Sequence, residues 1–296
     1  MARSYQKNVA RTETGAVRPK AEARTAAGAV MMGSQGAHAM TPSQPTSGQP
    51  QEEQVPRSRQ ADCAQRRRLH GHCEGCLVRG LAPCTVIPPE EIHALEQLGG
   101  QVRLPAGNVL AREGDPRREV HTVTSGMMRR SRLLPDGRRF VHAFVLPGEF
   151  IGFTSSDQYR YTLEAVTEST LCSFSVDSLR SLCERYPDFE SNLFSQACGE
   201  LDVADNFLMA LARMTPVERL AAFLVDLSKR QHLRGGALNQ VDLPMTRADI
   251  GDHLGLTIET VSRSFSRLKQ EGVLYFEHPH HIELRDPARL RQMAGL

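Results

Sequence analysis

The run Thr246-Arg-Ala-Asp-Ile-Gly-Asp-His-Leu-Gly-Leu-Thr-Ile-Glu-Thr-Val-Ser-Arg263 holds two helix starts with a turn between them. Thr246 with Asp249 three residues on is a capping-box pattern, in which each residue satisfies the other's free backbone N–H. Ile250, Leu254 and Leu256 are apolar, and Gly251 and Gly255 are small. Gly255 falls where a tight turn needs a permissive backbone. Thr257 then caps a second helix, predicted over 258–270 and ended by Gly272, with Val261, Phe265 and Leu268 as its buried stripe. Two short helices joined through a glycine turn predict a helix-turn-helix. Residues 273–276 and 281–284, on either side of Pro279, read as a hairpin wing.

In such a unit the first residues of the second helix reach base edges in the major groove of double-stranded DNA. Facing away from the apolar stripe are Glu259, Ser262 and Arg263, with Thr257, Thr260, Arg267 and Lys269 as phosphate candidates. Arginine can bond guanine O6 and N7 together, and glutamate can accept from a cytosine amino group, so the pair suits G·C. An ordinary solvent face on a helical hairpin is the competing reading, and the full pattern from cap to wing argues against it. His278, His280 and His281 read as a solvated wing tip rather than a metal site.

Upstream, Thr215-Pro216-Val217-Glu218 opens a helix to about residue 230, with threonine as cap and proline at its first position. Before it, a long helical stretch over 188–214 places Phe194, Ala197, Leu201, Ala204, Leu208 and Leu211 at alternating spacings of three and four. That is a heptad seam, which predicts a homodimer paired along this helix rather than a helix packed on its own domain. Asp202 and Asp205 beside it predict a seam of marginal strength, since facing like charges repel. A shorter helix is expected over 176–185. Between Gly107 and Gly148, turn signals recur among short alternating segments, as in a small antiparallel roll or barrel.

Further upstream still, Cys73-Glu-Gly-Cys76 and Cys84 form Cys-x2-Cys-x7-Cys. Thiolate donors suit zinc, copper(I) or iron–sulfur clusters. A structural zinc or a cubane wants four protein ligands, so one must come from elsewhere. The other cysteines are Cys63, Cys172, Cys183 and Cys198. Taken alone, Cys172 is an ordinary strand cysteine, Cys183 and Cys198 read as helix packing, and Cys63 as a spare thiol. An odd count of seven in a long chain points to a reducing cytoplasm, not to a disulfide scaffold. With 40% apolar and 24% charged residues the chain can build ordinary cores. No window approaches a membrane span. A net charge of +2 does not by itself mark a nucleic-acid protein. Residues 1–60 are low in large apolar residues and are expected to be a disordered tail. An enzyme with a metal pocket inside the roll is not expected, since His121 and His142 lack a clustered pattern.

The helix-turn-helix run and Glu218-Arg-Leu-Ala-Ala-Phe223 resemble the CRP/FNR superfamily of transcription regulators, in particular the branch named for fumarate and nitrate reduction. The resemblance implies an α+β fold. A cyclic-nucleotide-binding-like β-roll (88–187) follows a cysteine-rich segment (61–87) and leads to a dimerisation helix (188–214) and a winged helix-turn-helix (215–296). It also implies a [4Fe-4S] cluster on Cys73, Cys76, Cys84 and Cys172 that responds to oxygen. The DNA site is implied to be a palindrome of TTGAT half-sites read by Glu259, Ser262 and Arg263. Activation through RNA polymerase follows from the same resemblance, with the turn at Leu134-Pro-Asp-Gly137 as an exposed candidate surface. Cyclic-nucleotide binding is not expected. Pro147-Gly-Glu149 is present, but residues 150–161 lack the Arg-Ser pair that grips the phosphate in the cyclic-AMP branch. Zinc or thiol-redox sensing at the same cysteines is the alternative.

Overall fold

The computed structural model describes residues 73–296; the tail, Arg66-Arg67-Arg68, Cys63 and His72 lie outside the described residues. Two 3-10 turns, Pro83–Val86 and Pro89–Glu91, lead into α1 (Ile92–Leu98). Each turn opens on a proline, whose fixed φ suits a first helical position. Then come β1 (Gly99–Leu104), β2 (Val109–Ala111), β3 (Glu119–Ser125), β4 (Met128–Leu133), β5 (Arg139–Val145), β6 (Phe150–Ile151), β7 (Thr162–Ala165) and β8 (Ser169–Ser175). They form two antiparallel four-stranded sheets, β1-β8-β3-β6 and β2-β7-β4-β5. Val102, Val123, Met128, Val145, Leu163 and Leu171 fill the space between them. This is the expected roll. Its corner at Gly126 admits no other residue: φ is +79°, and an added Cβ would stand 2.8 Å from the Ser169 Cα.

Ser175 accepts from the Ser178 amide and so caps α2 (Val176–Arg185). Pro187 then opens α3 (Pro187–Arg213), the expected long helix. Of its 27 residues only Phe189, Leu193 and Ala210 are buried among the described residues, so much of the helix surface stands open. A Thr215–Glu218 capping box starts α4 (Pro216–His232). After β9 (Gln240–Asp242) come α5 (Arg247–Leu254) and α6 (Ile258–Gln270), joined at Gly255 with φ +66°. The chain ends with β10 (Leu274–Tyr275), β11 (His281–Leu284) and α7 (Pro287–Met293).

The wing is a three-stranded sheet, β10-β11-β9, rather than the expected hairpin. The third strand pairs Val241 with Ile282 and is too short to show alternation in the sequence. The C-terminal core joins Leu220, Leu224, Ile250, Val261, Phe265 and Leu268, and it runs on without a break into Val141, Phe144 and Leu146 of the roll.

Candidate cysteine centre and nucleic-acid interface

Cys73, Cys76 and Cys84 sit on a series of tight turns, with the Cys76 amide donating to the Cys73 carbonyl and the Ile87 amide to the Cys84 carbonyl. Such turns need no regular partner, so they can aim several thiols to one side. Cys172 lies on β8, where Ser169, Leu171 and Ser173 are buried and Thr170, Cys172 and Phe174 alternate with them, half-buried. Cys172 therefore stands on the outer face of the sheet, away from the roll interior, between Gln101 of β1 and Thr122 of β3. All four thiols line one cavity of ≈ 550 Å³, counting its open mouth. The rest of the lining is apolar, including Val78, Ile92, Leu95, Phe150, Phe174 and Phe189, apart from Arg79, Thr122 and Thr124. Among the described residues, no three His, Cys, Asp or Glu side chains are arranged to hold a single metal ion.

Burial pushes the Cys73 thiol up to about 12, with Glu96 and then Cys84 and Cys76 adding to it, and the Cys84 thiol up to about 11, with Cys76 adding. Cys172 is raised further, by burial first and then by Cys73, Cys76 and Cys84. Arg79 acts the other way on Cys73 and Cys84. Glu96 and Arg79 are parts of this site that the sequence reading missed. The buried Glu96 carboxylate accepts from the Cys73 amide at 2.7 Å. Its signal was a charge on the face of α1 that also buries Ile92 and Leu95; Arg79 gave none. Cys183 packs at the edge of the neighbouring core and Cys198 lies half-buried on α3; neither lines the cavity.

The cysteine segment rests on α3. Asn192 donates to the Pro83 carbonyl at 3.2 Å, and Gln196, one turn on, to the Leu81 carbonyl at 3.4 Å. Phe189 and Leu193 share a core with Cys73, Ile87 and Leu95. The residues of the expected seam lie on the remaining faces of α3. Phe194, Leu201 and Leu208 are 72%, 66% and 65% exposed, Ala204 is exposed and Ala197 half-buried. Leu211, the last of the expected seam residues, is half-buried beside Gly255, and its carbonyl accepts from Arg219.

On α6, Glu259, Ser262, Arg263 and Arg267 are exposed. Thr257 caps the helix by accepting from the Thr260 amide. The backbone amide at the helix start and the Thr257 hydroxyl hold the Glu259 carboxyl below its ordinary range, with Arg263 adding to it. Glu259 is thus kept as an acceptor, which a cytosine amino group requires. Arg267 pairs with Glu271 at 2.8 Å and Ser262 bonds back to the Ile258 carbonyl, so both must turn to meet DNA. Lys269, expected at a phosphate, donates to the Phe276 carbonyl and so links α6 to the wing. No helix among the described residues is long and apolar enough to cross a membrane.

Residues 218–293 match the Crp-like helix-turn-helix domain, and residues 101–186 match the cyclic nucleotide-binding domain. The nitrogen fixation regulation protein FixK of Bradyrhizobium diazoefficiens is 36% identical over 227 residues, covering 76% of this chain and 95% of that protein. The transcriptional activator protein FnrL of Cereibacter sphaeroides is 33% identical over 232 residues, covering 77% of this chain and 93% of that protein. The structure of FixK2 from Bradyrhizobium japonicum superposes with a TM-score of 0.62 at 33% identity, covering 66% of this chain and 96% of that one. With a roll, a long exposed helix and a reading head that all match, the chain belongs to the CRP/FNR family and is a DNA-binding transcription regulator, not an enzyme.

Proposed function

We propose that the chain is a cytoplasmic, oxygen-responsive transcription activator of the FNR/FixK type. It pairs along α3 and binds inverted TTGAT-type half-sites when Cys73, Cys76, Cys84 and Cys172 hold a [4Fe-4S] cluster. The observation that carries this reading is the shared cavity: three thiols from one turn-rich segment and one from a distant strand line it together. Cys73, Cys76, Cys84 and Cys172 would hold the cluster, which would supply an oxygen-labile redox group. Cys172 is fixed in the middle of β8, so it offers a rigid anchor. Drawing residues 73–84 onto it clamps that segment between β8 and α3. The carbonyls of Leu81 and Pro83, which accept from Gln196 and Asn192, would be held in that position. Phe189 and Leu193 hold the first turns of α3 to the same core. Phe194 and Ala197, on the same stretch of helix, are set in register for a partner. Two paired chains bring two α6 helices to one DNA molecule a helical turn apart, where Arg263 and Glu259 read base edges. A shift between paired and unpaired states then becomes a shift in DNA occupancy.

Two further observations support details of this reading. Glu149, in the turn where a cyclic nucleotide would sit, is taken up by Arg230 at 2.7 Å and Arg234 at 2.8 Å, which favours a regulator without that ligand. The end of β4 and the turn after it expose Leu133 and Leu134 and offer RNA polymerase an apolar contact.

Anaerobic purification with iron, sulfide and zinc analysis tests the proposal. Four iron and four sulfide per chain, lost in Cys172→Ala together with oxygen-dependent DNA binding, is the expected result. A colourless zinc protein, or a Cys172→Ala variant that still binds its palindrome only without oxygen, overturns it.

A further inference from the structure

The reading head is fastened to the rest of the chain through one face of α5. Asp249, 2% exposed, accepts from Arg129 of β4 at 2.8 Å and from Arg139 of β5 at 2.5 Å. Arg139 also pairs with Asp252 at 2.8 Å, and Arg129 with Glu164 of β7 at 2.6 Å. One turn of helix beyond Asp249, the His253 ring lies flat on Phe207 of α3, with centroids 4.7 Å apart and planes 12° apart. Phe144 of β5 and Phe223 of α4 meet the same ring at 5.5 and 5.4 Å. Its Nδ1 lies 2.9 Å from the Val141 carbonyl. A carbonyl only accepts, so this nitrogen carries the proton.

Four elements thus converge on one turn of α5, through ion pairs and rings as well as apolar contact. Phe207 is the neighbour in sequence of Leu208, a seam residue, so the end of α3 that faces a second copy also touches the reading head. The docked face is not the reading face: Glu259, Ser262, Arg263 and Arg267 all stay exposed. The contact therefore orients α6 without covering it.

We propose that the α5 face carrying Asp249, Asp252 and His253 is an internal docking surface that fixes the angle of the reading head on the roll and on α3. Arg129 and Arg139 are then positioning residues for recognition of two half-sites at once. A head free to swivel reads one half-site as well as before. Two such heads meet the spacing of an inverted repeat in only a fraction of conformations, and apparent affinity falls by that fraction. The inference rests on pairing and two-site binding but not on the cysteine centre.

Arg139→Glu, Asp252→Arg and the double variant test it. These positions are part-exposed, and unlike Asp249 neither belongs to the capping box of α5. Binding is measured on a duplex with two inverted TTGAT half-sites and on one with a single half-site, at one salt concentration. Hydrogen exchange of residues 247–254 is followed in parallel. Arg139→Glu should weaken two-site binding about tenfold or more and change single-site binding by less than about twofold. It should also speed exchange in α5, and the double variant should recover most of both effects. Equal loss on both duplexes, unchanged two-site binding, or tighter binding would each overturn the positioning role. If wild type does not distinguish the two duplexes, pairing on DNA is what fails. Exchange then still judges the docking, which is refuted if α5 is as protected in Arg139→Glu as in wild type.

Discussion

The amide of Cys73 donates to the carboxylate of Glu96 at 2.7 Å, which joins the first cysteine of the candidate centre to the buried side of α1. Glu96→Leu removes the acceptor and leaves a buried N–H without its partner, at a cost of about 1–3 kcal/mol. A lower melting temperature and less iron retained after anaerobic purification are expected. Glu96→Gln keeps an acceptor oxygen and should recover part of both. Wild-type melting and iron content in Glu96→Leu would show that the bond holds nothing in place.

Phe194, Leu201 and Leu208 leave well over half of their surface open in the single chain, so truncating them costs that chain little. In the proposed pair they would be buried. Leu201→Asp should sediment as a monomer at concentrations where wild type pairs, with secondary structure intact and specific DNA binding lost. Leu193→Asp makes the contrast. Leu193 is 8% exposed and packs in the core beside Cys73, so that variant should lose stability itself.

The long helix α3 was legible because helical spacing shows itself locally, and the reading head because caps, glycine turn and apolar stripe agree locally. The turns of the roll were legible for the same reason, since Gly107, Gly126 and Gly148 each sit at positive φ. What could not be read was whatever depends on contact between distant segments. Nothing near Cys172 marks it as facing residues 73–84, and its strand alternation fits either face of the sheet. Glu96, Asn192 and Gln196 act through backbone partners, which carry no residue identity. Leu211 continues the heptad in sequence, yet half of it turns toward Gly255, because the end of α3 must also meet the C-terminal domain.

Gly251 packs α5 onto the turn before α6: a Cβ there would stand 2.7 Å from the Leu256 carbonyl oxygen, a backbone atom that cannot step aside cheaply. Gly251→Ala should therefore destabilise the reading head by about 1–3 kcal/mol, as overpacking does. Gly199, in the middle of α3 with nothing within 4 Å, is the control. There the same change should stabilise the helix by about 0.5–1 kcal/mol. Thermal melts of the two variants should move in opposite directions, and only Gly251→Ala should weaken DNA binding.

His142 on β5 makes stability depend on pH. Its ring lies 4.5 Å from that of Tyr161, and its buried Nδ1 has no hydrogen-bond partner among the described residues. Burial pushes its pKa down to about 4, with Arg130, His253 and Arg160 adding positive charge nearby. A histidine depressed in the folded state gains nothing by protonation there, whereas the unfolded chain takes up a proton near pH 6.5. Stability is thus full above pH 6.5 and falls as the pH drops toward 4. His142→Phe keeps the ring and removes the titration, so its melting temperature should fall less than that of wild type between pH 7 and pH 5. His253, which burial also depresses, keeps some of the slope in the variant. Parallel melting curves for the two proteins across this range would show that His142 is protonated as easily when folded as when unfolded.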